Sequence, residues 1–276
     1  MPEETHAIPA PIRQAITPLL ICCDELANIE RTLGALAWAA RIVVIDSGSR
    51  DGTLAAIARV CPQAEVLHRR FDSFARQCNY GLSQIHTPWV LSLDADYRLS
   101  QGFLQALNHF NPDDPTAGWE VPLVYCIAGQ AIRGSMLPPR ICLYRKERAH
   151  YIDDGHGHRV QIDGAVRPFP APILHDDRKP LDRWLASQQR YLRQEADKIQ
   201  RTPPQDLSRY DRWRRRGWVM PLLVLPYCLI LRRGLFDGWR GWFYAYQRLY
   251  AEILLSLLLM EPPASPGATS GPGDPT

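Results

Sequence analysis

Lysine is almost missing from this chain of 276 residues. It occurs only at Lys146, Lys179 and Lys198, so arginine carries nearly all the positive charge, which reads as codon bias rather than function. A formal net charge of +3 is no basic excess of the kind that recruits nucleic acid, and no such partner is expected. Cys-x-x-Cys pairs and zinc-type Cys/His spacings are absent; the cysteines stand at 22, 23, 61, 78, 126, 142 and 228. An odd, unpatterned set predicts reduced thiols and a cytosolic compartment. The short apolar run Leu19 to Cys22 has no basic region before it, so a signal peptide is not expected. No clean run reaches the ~20 apolar residues that a spanning helix needs. Trp218 to Leu231 is too short and holds Pro221 and Pro226, and Trp239 to Met260 is interrupted by Arg240, Gln247, Arg248 and Glu252.

What remains is a globular composition, 46% hydrophobic and 22% charged, sufficient for one large domain or for a domain with an appendage. From Ile16 to about Phe110, strand-like and helix-like segments alternate. Leu19-Leu20-Ile21 is a short apolar run. Asp24-Glu25 then offers helix-entry chemistry ahead of Leu26, Ile29, Leu33 and Leu36 at helical spacing. Ile42-Val43-Val44-Ile45 is continuous and β-branched, as a strand buried on both faces requires, and ends at Asp46-Ser47-Gly48-Ser49. A helix through Ala55 and Val60, a strand at Glu65 to Leu67, a helix over 74–85, a strand at Trp89 to Leu93 and a helix around Phe103 to Phe110 complete the pattern. Repeated β-α units predict a mostly parallel sheet with helices on both faces, and ligands in such sheets sit outside the carboxyl ends of the strands.

Asp46 and the pair Asp94/Asp96 fall at those ends, on one rim. Two hard oxygen ligands spaced i, i+2 at a strand terminus suit Mg²⁺ or Mn²⁺, which keeps several waters and also grips a diphosphate. Solvated loop acids are the plainer reading of Asp-x-Asp alone.

Beyond Asn111 to Pro115, Trp119 to Ile127, Ile141 to Arg145 and Arg159 to Ile162 read as short strands that complete a second pocket wall. Leu181 to Gln200 is a long amphipathic helix. Arg209, Arg212, Arg214, Arg215 and Arg216 follow, interleaved with Tyr210 and Trp213. With the aromatic, apolar segments after them, these arginines predict an interfacial element on anionic lipid. The alternative is a soluble helical hairpin that buries its apolar faces on protein.

Four motifs in one order resemble the inverting family 2 glycosyltransferases of GT-A fold, with the nearest likeness to the bacterial branch that builds the lipopolysaccharide core. They are Cys22-Cys23-Asp24-Glu25-Leu26-Ala27-Asn28-Ile29, Val44-Ile45-Asp46-Ser47-Gly48-Ser49-Arg50-Asp51-Gly52-Thr53, Gln77-Cys78-Asn79 and Leu91-Ser92-Leu93-Asp94-Ala95-Asp96. The resemblance implies a carboxylate for the nucleotide base at Asp46, with Glu25 near the nucleoside. It places Gln77 and Asn79 where the family holds the donor and the strand-to-helix geometry, and implies a ribose and metal-water contact at Asp94 and the direct metal ligand at Asp96. Asp51 is either part of this set or a helix cap.

Inversion needs a base on the far face of the sugar to accept the acceptor hydroxyl's proton. Asp153, Asp154, His156 and His158 concentrate in one turn. Related enzymes show His-Glu about here, where this chain has His158-Arg159. Asp154 is favoured as the base, with Asp153 as its alternative and with His156 or His158 on metal or phosphate. A plain polar turn is the competing reading. His175-Asp176-Asp177-Arg178-Lys179 precedes the amphipathic helix; either its acids start that helix, or Arg178 or Lys179 touches a diphosphate or an anionic acceptor, and Arg140 and Arg145 are further cationic candidates.

The expected layout is a flexible 1–15, a GT-A domain over 16–180 (nucleotide half 16–110, acceptor half 111–180), a helical membrane-interfacial extension over 181–261 and a disordered tail over 262–276. The expected function is metal-dependent transfer of a sugar from a nucleotide donor, a UDP-sugar, to a saccharide or lipid-linked acceptor. The expected place is the cytoplasmic face of the inner membrane, peripheral or monotopic. A nucleotidyltransferase of related topology, or a non-catalytic membrane-surface scaffold, are the alternatives; the first strand lacks the glycine- and lysine-rich phosphate loop of the former.

Overall fold

The computed structural model describes residues 8–154 and 157–261. A short helix, α1 (Ala10–Ala15), leads into β1 (Ile16–Cys22). The expectation of a flexible segment up to residue 15 is corrected over its described part, because Ile8 and Ile12 are buried in the main core. Next come α2 (Ile29–Gly34), β2 (Ile42–Asp46), α3 (Thr53–Val60), β3 (Ala64–His68), α4 (Phe74–Ser83) and β4 (Trp89–Asp94). Strands β3, β2, β1 and β4 lie side by side in that order, all parallel. The chain steps outward from β1 to β3 and then returns to the other side of β1. The topological switch point therefore lies between β1 and β4, where a ligand crevice is expected at the strands' carboxyl ends.

Every residue of β2 is buried, which explains its unbroken Ile-Val-Val-Ile-Asp sequence. Alternation along the strand assigns Ile42 and Val44 to one face, with α2, α3 and the later helix α5 (Gln101–Asn108). Val43 and Ile45 face the other way, against Ala75, Cys78 and Leu82 of α4. Burying a Val or Ile side chain contributes roughly 1.5–3 kcal/mol, so this strand alone ties the two helical layers together. Helix α4 comes close to β1 because residue 81 is glycine; a Cβ there would overlap the Leu19 side chain.

The acceptor half adds β5 (Tyr97–Leu99), β6 (Gly118–Val121), β7 (Leu123–Ile127), β8 (Gln130–Ala131), β9 (Arg140–Arg145), β10 (Ala149–Asp154), β11 (Gly157–Ile162), β12 (Val166–Pro168) and β13 (Ile173–His175). Strand β9 runs antiparallel between β4 and β6 and extends the main sheet, whose far edge is β12. A smaller sheet has the order β5-β13-β7-β8, and β10 with β11 form a separate hairpin beside α4.

The C-terminal region is helical: α6 (Leu181–Arg201), α7 (Arg209–Arg214), α8 (Val219–Pro226), a π turn at Tyr227–Leu231, a 3-10 turn at Gly234–Asp237 and α9 (Trp239–Met260). Leu192, Ala196 and Ile199 of α6 pack on Ala251 and Leu255 of α9. Tyr244 and Ala245 of α9 pack with Val224 and Cys228 against Ile127 and Ile132 of the preceding domain. The apolar residues thus divide between two fates. Some are buried on protein, whereas Leu222, Leu231 and Phe236 are 67%, 73% and 72% exposed. Among the described residues no helix is long and apolar enough to cross a membrane.

Candidate active site

The end of β2 turns through Ser47-Gly48-Ser49, and the turn's donors converge on Asp46, which is 1% exposed. Gly48 N–H donates to its Oδ2 at 3.0 Å, Ser49 O–H donates to Oδ1, and His68 Nδ1 lies 3.2 Å from Oδ2. Burial works to raise this carboxyl's pKa, but the hydrogen bonds from Ser49 and Gly48 outweigh it and leave the group below the usual range. On the neighbouring strand Cys22 sits opposite Asp46, and burial together with that carboxylate holds its thiol protonated.

Glu25 was expected to help start a helix, but it lies in the turn after β1, where Asp24 adopts φ 55° and α2 begins only after Asn28. Its carboxylate accepts from Asn28 Nδ2 at 2.9 Å and pairs with Lys179 Nζ at 2.6 Å. Burial raises its pKa, with Lys179 and Asn28 pulling the other way. Asp51 does the local work of a turn, accepting the N–H groups of Leu26 and Thr53.

Asp94 ends β4, and the register places it beside Ile21, while Asp46 is beside Cys22 on the other flank of β1. Two strand spacings, roughly 9–10 Å, therefore separate their backbones. Asp94 faces Arg140 Nη1 at 3.5 Å. Asp96 lies in the turn after β4, with Oδ2 3.8 Å from His175 Nε2. Burial raises the Asp96 pKa, His175 opposes that shift and Asp94 adds to it. Asp96 Oδ1 and His175 Nδ1 are both buried without a hydrogen-bond partner. The facing Asp96 Oδ2 and His175 Nε2, with Asp96 Oδ1 as an unspent acceptor beside them, fit a divalent cation. Among the described residues no three His, Cys, Asp or Glu side chains form a complete metal cage. A cation held here takes further ligands from a bound diphosphate or water.

The sequence expectation set His158 beside Asp94 and Asp96 on the metal. His158 lies on β11 between the rings of Phe74 and Tyr151, at centroid distances of 5.7 and 5.3 Å, and burial lowers its pKa while Asp94 works to raise it. The imidazole brought against Asp96 is that of His175. The sequence signal was present, since Ile173-Leu174-His175 is an apolar pair ending in a histidine, yet the five residues from 175 were read as a helix start or a diphosphate contact. The acids there do not start α6. Asp176 accepts from Arg178 and faces Arg31, while Asp177 accepts from Asn28 Nδ2 at 2.8 Å and lies 3.8 Å from Lys179.

Gln77 and Asn79, expected at the donor and the strand-to-helix geometry, both bond the backbone, although Gln77 Oε1 is buried without a partner among the described residues. Gln77 is fully buried, and its Nε2 donates to the carbonyls of Arg69 and Arg70. Asn79 closes two hydrogen bonds with the backbone of Tyr151, both 2.9 Å. Arg145 is likewise spent on the carbonyls of Pro112, Asp114 and Thr116 and on the face of Trp89. At the tip of the β10–β11 hairpin, Asp153 Oδ1 accepts from Ala75 N–H at 3.3 Å, and Asp154 lies 3.6 Å from Arg159. His156 lies outside the described residues.

The fold sets carboxylates and a buried Asp–His pair on the rim of a parallel-sheet switch point, and residues 19–118 match the family model Glycosyl transferase family 2. These residues are a family 2 glycosyltransferase domain. It holds Glu25, Asp46, Asp94 and Asp96 and ends before β13 brings His175. Lipopolysaccharide core biosynthesis glycosyltransferase LpsC of Rhizobium meliloti (strain 1021) is 29% identical over 110 residues, 38% of this chain and 41% of that protein. The match to this curated relative thus spans well under half of its length. Among solved structures, S. aureus TarS 1-349 in complex with UDP-GlcNAc aligns with a TM-score of 0.46 at 13% identity, over 86% of this chain and 81% of that one. Glucosyl-3-phosphoglycerate synthase from Mycobacterium tuberculosis, in complex with Mn²⁺, UDP and phosphoglyceric acid, aligns with a TM-score of 0.43 at 14% identity, over 67% and 78%.

Proposed function

We propose that the chain is an inverting glycosyltransferase that moves a sugar from a UDP-sugar to a saccharide or lipid-linked acceptor during lipopolysaccharide assembly. It works with Mg²⁺ or Mn²⁺ at the cytoplasmic face of the membrane. The observation that carries the reading is the buried, unsatisfied Asp96–His175 pair beside the switch point of a family 2 domain. The LpsC likeness supports the choice of pathway.

In this reading Asp46, preorganised as a carboxylate by Gly48 and Ser49, receives the donor's base. Asp96 and His175 hold the cation, and Lys179, kept charged by Glu25 and Asp177, adds positive potential beside the diphosphate. When bound, the cation offsets the charge that develops on the departing diphosphate. Asp94 orients Arg140 at the mouth of the site. Asp154 accepts the proton of the attacking hydroxyl. It is half-exposed and steadied by Arg159, on a hairpin whose His158 is near enough to Asp94 to feel its charge. Asp153 is already committed to the Ala75 amide and serves to fix that hairpin.

The extension supports the membrane location. Its uncovered apolar side chains are interleaved with Arg215, Arg216, Arg232, Arg233 and Arg240, a composition suited to anionic headgroups over an acyl boundary. A panel of nucleotide sugars, read by release of the nucleoside diphosphate with Mn²⁺, tests the activity. The proposal expects release from a UDP-sugar that Asp96→Ala abolishes. Release that persists in that variant, or none from any sugar nucleotide, contradicts it.

A further inference from the structure

The parallel pairing of β13 with β7 puts His175 directly beside Tyr125, and the antiparallel pairing with β5 puts Tyr97 on its other side. The three rings form a row across the small sheet. Tyr125 lies stacked on the imidazole, with centroids 4.9 Å apart and planes 20° from parallel, while Tyr97 meets it edge-on at 5.4 Å. Tyr125 in turn contacts Tyr244 of α9 at 5.1 Å. Tyr244 is anchored there, because its hydroxyl accepts the N–H of Met136. A ligand imidazole normally has its ring plane and tautomer set by a hydrogen bond from its second nitrogen. Here Nδ1 has no partner among the described residues, so ring contacts are what constrain the plane.

We infer that Tyr125 is a positioning residue that holds the His175 imidazole in line with Asp96 by stacking, and that α9 supports this contact through Tyr244. This rests on the reading of Asp96 and His175 as the cation site. The inference gives the C-terminal extension a part in the chemistry: the helix that presents Trp242, Phe243 and Tyr246 outward also backs the ring behind the cation ligand.

The test is Mn²⁺ affinity in the presence of UDP, followed by electron paramagnetic resonance of free Mn²⁺, with thermal unfolding recorded for each variant. His175→Ala comes first, because unchanged affinity in that variant overturns the cation site itself. Given a loss there, Tyr125→Leu should weaken Mn²⁺ binding roughly three- to tenfold, whereas Tyr125→Phe, which keeps the ring, should stay near the parent value. Tyr244→Leu should weaken binding less, and the double variant Tyr125→Leu with Tyr244→Leu should be no worse than Tyr125→Leu. Parent-like affinity in Tyr125→Leu, or an equal loss in Tyr125→Phe, overturns the positioning role. Fully additive losses in the double variant overturn the part assigned to α9.

Discussion

Replacing Asn79 with alanine separates a structural from a donor-binding role for the Gln77-Cys78-Asn79 motif. Strand β10 pairs with β11 along one edge only; at Tyr151 the other edge is completed by the Asn79 side chain, which accepts the Tyr151 N–H and donates to its carbonyl at 2.9 Å each. The amide of Asn79 thus imitates the peptide group of a missing neighbour strand. Each such bond is worth about 1 kcal/mol net, and leaving the amide groups of a buried residue unpaired adds desolvation of about 1–3 kcal/mol. Tyr151 is 4% exposed, so water can replace little of what is lost. Asn79→Ala should therefore destabilise the protein by about 3–5 kcal/mol, and Asn79→Asp, which keeps only the acceptor, by about half as much. Urea unfolding gives the stability and UDP titration gives the affinity. A stability change below about 0.5 kcal/mol, accompanied by a marked loss of UDP affinity, would refute the structural assignment and return Asn79 to the donor site.

Glu252, 1% exposed, accepts from Arg214 and from the Tyr210 hydroxyl. Glu252→Leu leaves Arg214 buried without its main partner and should cost about 3 kcal/mol, the lower end for a broken buried pair because Glu195 and Asp211 remain close; thermal unfolding checks this, and a cost under about 1 kcal/mol contradicts it. Asp46 has a folded pKa below its unfolded value of about 3.9. Its stabilisation is therefore complete above that value and is lost as pH falls through the lower folded one. The stability gap between the parent and Asp46→Asn should close on acidification, and a gap that is constant with pH contradicts the ionised assignment. Replacing Leu222, Leu231 and Phe236 together by serine should sharply weaken sedimentation with phosphatidylglycerol–phosphatidylethanolamine vesicles without changing UDP affinity. Parent-like vesicle binding, or a self-associating parent that the variant turns monomeric, contradicts membrane docking.

The parallel half of the sheet was legible because each strand carries its own signal. β2 is uniformly apolar and β-branched up to Asp46, and the turn residues that follow are those whose donors close on that carboxylate. The same local logic placed Asp94 and Asp96 after β4. The proposed cation site was only half legible, because its second member comes from β13, about eighty residues later, and nothing local tells which histidine a small sheet will carry to Asp96. His158 was the plausible choice from the dense polar turn around it, but strand pairing places it between Phe74 and Tyr151. A motif shared with a family announces that residues matter without saying whether they touch ligand or backbone; the Gln77 Nε2 and the Asn79 amide bond the backbone here. The extension's mixture of aromatic, apolar and arginine residues suited both lipid and protein. The structure uses it on protein through Tyr244 and Val224 and leaves Leu222 and Leu231 uncovered.

If Asp96 and His175 together hold a divalent cation for a nucleoside diphosphate, calorimetric titration of UDP into the protein, with and without Mn²⁺, will reveal it. UDP binding should depend on Mn²⁺ in the parent, and Asp96→Ala and His175→Ala should each remove the Mn²⁺ dependence while remaining folded. UDP binding that is indifferent to Mn²⁺ in the parent, or equally Mn²⁺-dependent in both variants, would contradict it.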